Sequence, residues 1–322
     1  MIKHFLLYVL PLLIITFPAA GQDESYGSGY QWIMINNPAV TGSEGDGILR
    51  LSYLNLYPGN SYNFHNVLLS YDSYFQALHG GAGFYISDKY LGGFVNDIRG
   101  GFSYAYFLRA GKNLFINAGL SASFYHRGYN TGNIVLPDQI DALGGVVYPA
   151  GEAVAVPGRT IFDIGTGFMF IYGRILGGFS VSHLSEPDLS YTDFVEDRMK
   201  RKLLLHLASD FDINKEKYLK IRPVGMLELQ KGYLSAGIGA AFESDFVSAN
   251  AMIFSGNNKD IDFQAGFSVN VGSISAFYNY RFNIRSGNIM MPLSLLHHTG
   301  IALSLNNVEK SSTVRTINFP DL

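Results

Sequence analysis

Alternation of apolar and polar residues is the dominant pattern along this chain. In residues 261–270, IDFQAGFSVN, the odd positions are apolar and the even positions are polar or small. A β-strand directs alternate side chains to opposite faces, whereas a helix would scatter these residues around its circumference. The segment therefore predicts a strand with one apolar face, and similar segments recur along most of the chain.

Fourteen segments of this kind are predicted between residues 48 and 305. In a sheet built from them, every apolar face would meet lipid, and closure would pair backbone groups that hydrocarbon cannot solvate. An even number of about fourteen lies within the range of outer-membrane barrels. The predicted boundaries are 48–56, 62–72, 78–87, 95–108, 114–126, 160–172, 174–184, 202–213, 218–230, 233–242, 246–254, 260–270, 273–284 and 297–305.

The connections between these segments alternate in length. Counted along the chain, the odd-numbered ones include the long segments 127–159, 185–201 and 285–296, whereas the even-numbered ones are short. If both termini are periplasmic, every long loop lies outside the cell, as in outer-membrane barrels. A soluble β-sandwich, the alternative, has no reason to follow this rule. The fold class predicted is thus all-β: a transmembrane antiparallel β-barrel of about 14 strands, with short periplasmic turns and long extracellular loops.

Composition agrees with a membrane barrel. Charged residues make up 15% of the chain, against roughly 25% in soluble domains. Aromatic residues make up 14%, yet after the N-terminal region no apolar stretch is long enough for a transmembrane helix. The formal net charge of −3 argues against nucleic acid as a partner. Since the chain has no cysteine, disulfides and thiol chemistry are excluded.

The N-terminus has the pattern of a secretory signal peptide. Lys3 and His4 precede an apolar core at 5–17, and small residues at 19–21 precede Gln22. The predicted organisation is a signal peptide at 1–21 and a periplasmic N-terminal segment at 22–47, followed by the barrel at 48–305 and a periplasmic tail at 306–322. The apolar cluster of the N-terminal segment is expected to dock on the periplasmic rim of the barrel or in its lumen.

Glycine and histidine pairs were weighed as binding motifs. Gly-x-Gly occurs at 165–167 and 237–239, but inside strands, whereas a phosphate-binding loop requires a following helix. These glycines are expected to let a plug or aromatic side chains approach the barrel wall. His297 and His298 are adjacent on a strand, so they point to opposite faces and cannot share a metal ion. We predict no metal site and no cofactor.

Catalytic chemistry was weighed in the same way. The chain lacks the Gly-x-Ser-x-Gly motif of serine hydrolases. His183 lies near Ser182, Ser185 and Asp188, in a polar region where chance proximity explains the grouping. We therefore expect no catalytic residues and no enzyme activity.

The long loops provide the candidate binding residues. They combine proline, aromatic and mixed-charge residues, which suits a surface that docks a partner. Tyrosine and arginine are common at the energetic centres of protein interfaces. The candidates are Tyr148, Tyr191, Phe194 and Arg198.

Several short motifs follow one another along the mature chain. They are NPAVTG at 37–42, SYD at 70–72, GGAG at 80–83 with Asp88, SYAY at 103–106, GFSVSHL at 178–184 with Pro187, HH at 297–298 and INFP at 317–320. In this order they resemble the PorP/SprF family of Bacteroidetes outer-membrane proteins, which belongs to the type IX secretion and gliding system. The chain differs from the family in having WIMI before NPAVTG and in lacking an Arg-x-Gln-Trp element in the first strand.

The resemblance implies a location and a set of partners. It implies an outer-membrane barrel without catalytic residues, which assists export or surface anchoring of a large adhesin through the adhesin's C-terminal domain. The partners would be outer-membrane lipid, that domain and other type IX secretion components. The alternative is an outer-membrane porin or transporter for small or hydrophobic compounds, and a barrel enzyme is a weaker third hypothesis. Filling of the lumen would separate the first two, because a diffusion pore needs an open, charged lumen.

Overall fold

Fourteen antiparallel strands form one closed barrel. The computed structural model describes residues 33–58, 63–130, 140–141, 145–146, 158–190, 197–214, 219–257, 260–285 and 295–305. The strands are β1 Ile48–Leu56, β2 Phe64–Phe75, β3 Gly80–Leu91, β4 Val95–Arg109, β5 Leu114–Tyr129, β6 Arg159–Tyr172, β7 Ile175–Ser182, β8 Lys202–Ser209 with its continuation Phe211–Asn214, β9 Leu219–Gln230, β10 Tyr233–Glu243, β11 Val247–Gly256, β12 Ile261–Val271, β13 Ile274–Arg285 and β14 Leu295–Ser304.

Closure of the sheet follows from its pairings. β1 pairs with both β2 and β14, and β8 pairs with both β7 and β9, so the ring is complete. A closed ring is what hydrocarbon demands, because an unpaired edge in lipid would leave backbone groups without partners. The number of strands, their direction and their order confirm the predicted fold class. Among the described residues, no helix is long and apolar enough to cross a membrane.

Three local features differ from the predicted boundaries. The turn between β2 and β3 lies at Gln76–Leu78 with His79 at φ +50°, so 73–75 extend β2 and pair with 80–82. The predicted strand 202–213 is interrupted at Asp210, whose carboxylate accepts hydrogen bonds from Arg222 of β9. Within the predicted loop 127–159, the pairs Ile140–Asp141 and Gly145–Val146 form a small ribbon of two strands.

The two faces of the barrel differ in polarity as the alternation predicts. On β12, Phe267 is 51% exposed on the lipid-facing side, whereas its neighbour Ser268 is 1% exposed and points inward. The same contrast separates Phe102 from Ser103 on β4. Because the outer face carries most of the large apolar residues, it is the face that contacts membrane hydrocarbon.

The interior of the barrel is filled with side chains. Several inward-facing residues are less than 2% exposed, and they come from strands on different sides of the ring. In a wide aqueous channel, such inward-facing side chains would be exposed to water. These residues are Leu54, Asn66, Met169, Met252, Gln264, Asn279, Leu296 and His298.

Candidate functional site

The described part of the N-terminal segment, from Ile33, lies inside the barrel. Residues 33–46, here called the plug, contain the one-turn helix Ile33–Asn36 and the 3-10 turn Pro38–Val40. The sequence NPAVTG dictates this compact shape. Asn37 precedes the turn and its side-chain oxygen accepts a hydrogen bond from Ala39 N at 3.0 Å, while Pro38 supplies a fixed φ at the first position.

Three glycines of the barrel wall lie directly beneath the plug. A Cβ at Gly81 of β3 would be 1.9 Å from Thr41 O, and one at Gly119 of β5 would be 2.2 Å from Ala39 N. At Gly167 of β6 the added atom would be 2.0 Å from Asn37 Oδ1. Glycine is therefore required at Gly81 and Gly119, where the plug backbone touches the wall backbone, whereas Gly167 makes room for the side chain of Asn37.

Polar contacts fasten the plug to six strands. They come mainly from the NPAVTG residues and reach inward-facing groups in the periplasmic half of the wall. The contacts are Ser180 Oγ to Asn36 O, Asn37 Nδ2 to Phe168 O (3.2 Å) and to His206 Nε2 (2.9 Å), Asn117 Nδ2 to Ala39 O (3.4 Å), Thr41 Oγ1 to Ser103 Oγ (2.9 Å) and Gly42 N to Asp72 Oδ2 (2.7 Å).

Apolar packing completes the plug's attachment. Ala39 and Val40 belong to a buried cluster with Met169 and Met252, whose strands lie on different sides of the barrel. Burial of such side chains contributes roughly 1.5–3 kcal/mol for each large residue. The plug therefore bridges the lumen, and it does so at the end that faces the periplasm.

A second segment folds into the outer mouth of the barrel. We call its two described arms, residues 183–190 and 197–201, the strap; residues 191–196, which connect the arms, lie outside the described residues. Leu189 and Met199 of the strap pack inward against Tyr125 of β5 and Ile161 of β6. The two arms are joined by backbone hydrogen bonds, from Leu189 N to Asp197 O at 2.9 Å and from Met199 N to Pro187 O at 3.0 Å.

The inner end of the strap is held by a buried histidine. His183 is fully buried, and its Nδ1 lies 2.8 Å from Asp163 Oδ2. Ser185 Oγ donates to the other oxygen of the same carboxylate at 3.1 Å. The imidazole and the hydroxyl thus bind the two oxygens of one buried carboxylate. We call His183, Ser185 and Asp163 the latch, because their contacts tie the start of the strap to β6.

An ionic network joins the second arm of the strap to strands β4 and β5. Arg127 of β5 donates from Nε to Asp97 Oδ1 at 2.7 Å and from Nη1 to Asp197 Oδ2 at 3.3 Å. A second guanidinium nitrogen, Nη2, donates to Asp97 Oδ2 at 2.8 Å, so the contact with this carboxylate is bidentate. Arg127 lies at the outer end of its strand, so the network ties the strap to the rim of the barrel.

Two strap carboxylates predict a response to acid. The backbone hydrogen bond from Ser190 N lowers the pKa of Asp188 below its ordinary 3.8, and the hydrogen bond from Lys200 lowers the pKa of Glu186 below its ordinary 4.5. A lowered pKa in the folded state means that the stabilisation exists above the ordinary values and is lost as pH falls through the lowered ones. We expect the strap to hold at pH 5–8 and to loosen below about pH 4.

This response is measurable with a spin label on Arg198→Cys, in a chain that has no other cysteine. The label's mobility should rise between pH 4.5 and 3 and return on neutralisation. The matched variant Asp188→Ala, which removes the acceptor of the hydrogen bonds from Ser190 N and Asp197 N, should be mobile already at pH 7. Constant mobility from pH 7 to pH 3, or a change centred near pH 6, would contradict the assignment to these carboxylates.

The predicted binding residues are only partly described. Arg198 lies on the strap, is exposed, and forms an isolated antiparallel bridge with Asp188. Tyr148, Tyr191 and Phe194 lie outside the described residues, so their role stays a prediction. The residue types alone do not reveal the plug and the latch, although the Asn-Pro turn and the glycines of the wall were signals of close packing.

The other candidate motifs are placed by the structure. His298 is fully buried and points inward, whereas His297 is on the opposite face with Nδ1 2.7 Å from Tyr278 OH, as the alternation predicts. Gly167 accommodates the plug and Gly237 accommodates the ring of Phe254, in agreement with the role expected for the Gly-x-Gly pairs. Within the described ranges, no three His, Asp or Glu residues are grouped to hold a metal ion.

Comparison with known proteins identifies relatives at two levels. A family model described as "Type IX secretion system membrane protein PorP/SprF" matches residues 19–289. No curated protein is significantly similar in sequence. Among solved structures, the CymD monoaromatic hydrocarbon channel is similar at 12% identity and a TM-score of 0.53, over 89% of this chain and 95% of that chain. The Pseudomonas putida toluene transporter TodX is similar at 12% identity and a TM-score of 0.51, over 89% and 96%. At this identity the likeness to these two outer-membrane barrels establishes the fold alone.

Proposed function

Because this chain belongs to the PorP/SprF family of type IX secretion system membrane proteins, we propose that it acts as a closed outer-membrane partner of that system. In this role it assists the export or the surface anchoring of a large adhesin, through the adhesin's C-terminal domain, and so supports gliding. Its remaining partners are outer-membrane lipid and other components of the secretion system.

The observation that carries the proposal is the filled lumen. Ala39 and Val40 of the plug are buried in one cluster with Met252 of the wall, and Leu189 and Met199 of the strap pack inward near the outer mouth. The inward-facing Gln264 is also fully buried. A general diffusion pore needs a continuous aqueous path, and the described interior does not favour one. A closed barrel is instead suited to present a fixed surface at each rim.

The outer rim is the surface at which we place the adhesin. Both described arms of the strap are anchored, 183–190 by the latch at His183 and 197–201 by the network at Arg127, so these arms form an ordered surface at the rim. A preordered surface binds with a smaller loss of conformational entropy than a free loop. Arg198 is therefore the first residue to test, followed by Tyr191 and Phe194 of the same predicted loop and by Tyr148 of the preceding predicted loop.

Deletion of the gene is expected to remove one large adhesin from the cell surface while uptake of small solutes is unchanged. Replacement of residues 191–196 by glycine and serine should cause the same loss, because it removes the candidate side chains Tyr191 and Phe194 and leaves both anchors of the strap. Surface adhesin is measured by labelling whole cells with an impermeant reagent and identifying the labelled proteins.

The matched control replaces residues 286–291, in another outer loop, in the same way and should leave the adhesin in place. Heat-dependent gel mobility confirms that both variants insert as folded barrels. Normal surface adhesin in the deletion strain, together with slowed uptake of a small nutrient, would contradict the proposal and favour a transporter.

A further inference from the structure

A membrane-facing groove marks the outer surface of the barrel. It has a volume of about 630 Å³ and crosses the outer faces of β5 to β10. Its lining is almost entirely apolar, and the large side chains along it are exposed on the lipid side. They include Phe168, Phe170, Phe179, Leu205, Leu207 and Ile238.

Glycines create the groove. Gly225 of β9 pairs with Leu207 on one side and Ile238 on the other, and nothing lies within 4 Å of a Cβ built on it. Gly177 of β7 lacks the side chain that would otherwise meet the ring of Phe170 at 2.6 Å. The recess therefore follows from missing side chains on an otherwise bulky face, and in a membrane it must be filled by apolar matter.

Basic residues flank the periplasmic end of the groove. Lys112 lies in the turn before β5 and Arg174 in the turn before β7, and both are exposed. A hydrogen bond from Gly173 N to Asn113 O, 3.2 Å long, holds the two turns side by side. Arg174 is paired with Asp212 at 3.6 Å but stays 58% exposed, and a guanidinium carries five donors, so it retains donors for another anion.

The spacing between these groups suits a lipid. Lys112 precedes the groove residue Ile116 by four positions, and Arg174 precedes Gly177 by three. At about 3.3 Å per strand residue, the cations lie roughly 10–13 Å from the groove along the strands. An apolar recess with cations at the membrane surface matches an acyl chain joined to a phosphate.

From this arrangement we propose that the groove binds one phospholipid of the periplasmic leaflet. One acyl chain lies over Gly225 between Leu207 and Ile238, and the phosphate lies between Lys112 and Arg174. The site is on the outside of the wall, so the inference does not depend on the proposed role in adhesin export.

The first test counts retained lipid by native mass spectrometry. The barrel is reconstituted in phosphatidylglycerol vesicles and transferred to a mild detergent, and one phospholipid is expected to remain bound. Gly225→Phe places a ring in the recess, where the Cβ itself meets nothing within 4 Å. It should lower retention about tenfold, the change expected from losing the burial of two methylene groups. The matched control Ala276→Phe, on the outer face of β13, should retain the lipid.

A second measurement locates the bound chain. Trp32 is the sole tryptophan, so a Trp32→Phe background accepts a single reporter, either Leu227→Trp in the groove or Phe267→Trp on β12. After transfer from phospholipid with a brominated chain to detergent, quenching should persist at residue 227 and vanish at residue 267. Equal loss at both sites, or full retention by Gly225→Phe, would overturn the site.

The headgroup is tested separately. The double variant Lys112→Gln and Arg174→Gln should lower retention of phosphatidylglycerol while leaving the fold and the groove intact. If this variant retains the lipid fully, while Gly225→Phe does not, the occupant is recognised by its chain alone. That outcome would overturn the assignment to a phospholipid and favour a neutral apolar ligand.

Discussion

Replacement of Gly119 by valine is expected to expel the plug from the barrel. Its Cβ would lie 2.2 Å from Ala39 N and 2.6 Å from Ala39 Cα, which are backbone atoms and cannot rotate away. Overpacking of this kind costs about 3 kcal/mol, roughly a hundredfold in occupancy of the lumen. The variant barrel should conduct ions in a planar bilayer, in frequent and large steps that the parent protein lacks.

Gly225→Val is the matched control for this experiment. It also introduces a branched side chain into the middle of a strand, but nothing lies within 4 Å of its Cβ. Conductance of this variant should stay at the level of the parent. If Gly119→Val remains closed while correctly folded, the plug does not seal the lumen and the interior must be occluded by other residues.

The second large effect is expected at the lipid face. Phe267 is 51% exposed on the outside of β12, near the middle of a strand of eleven residues. Phe267→Arg should destabilise the barrel by about 2–4 kcal/mol, because a guanidinium near the membrane midplane loses its hydration. Urea unfolding in lipid vesicles measures this loss, and Phe267→Leu, which keeps an apolar side chain, should change stability far less. Equal stability of the two variants would contradict the register of this strand.

The barrel was predictable because its cause is local. One face of each strand must contact the membrane hydrocarbon, so apolar residues alternate with polar or small ones, as they do from Ile261 to Val271. The positions of turns were harder to predict from the sequence, because the register of β2 against β3 depends on which residues pair across the two strands. The break at Asp210 depends on Arg222, twelve residues away, and no periodicity reveals such a partner.

The site was less predictable because its causes are long-range. Alternation assigns Gly119 and Ser268 to the interior. It does not predict that the plug backbone lies against Gly119, or that Ser268 is fully buried. Asn37 meets His206 across 169 residues of sequence, a contact that only the closed ring creates. Residue type did single out Arg198, and the roles of Tyr148, Tyr191 and Phe194 stay predictions.

The order of the plug's contacts has a mechanical consequence. From Asn36 to Gly42 the polar contacts follow the chain, passing from β7 to β6 and β8 at Asn37, and then through β5 and β4 to β2. A periplasmic pull on the residues before Ile33 would therefore load them one at a time, as in unzipping, and not in parallel, as in shear. Unzipping needs little force at each step, and it leaves every wall strand paired. The plug is thus attached in a geometry that resists thermal escape through many bonds yet yields to a weak directed tension.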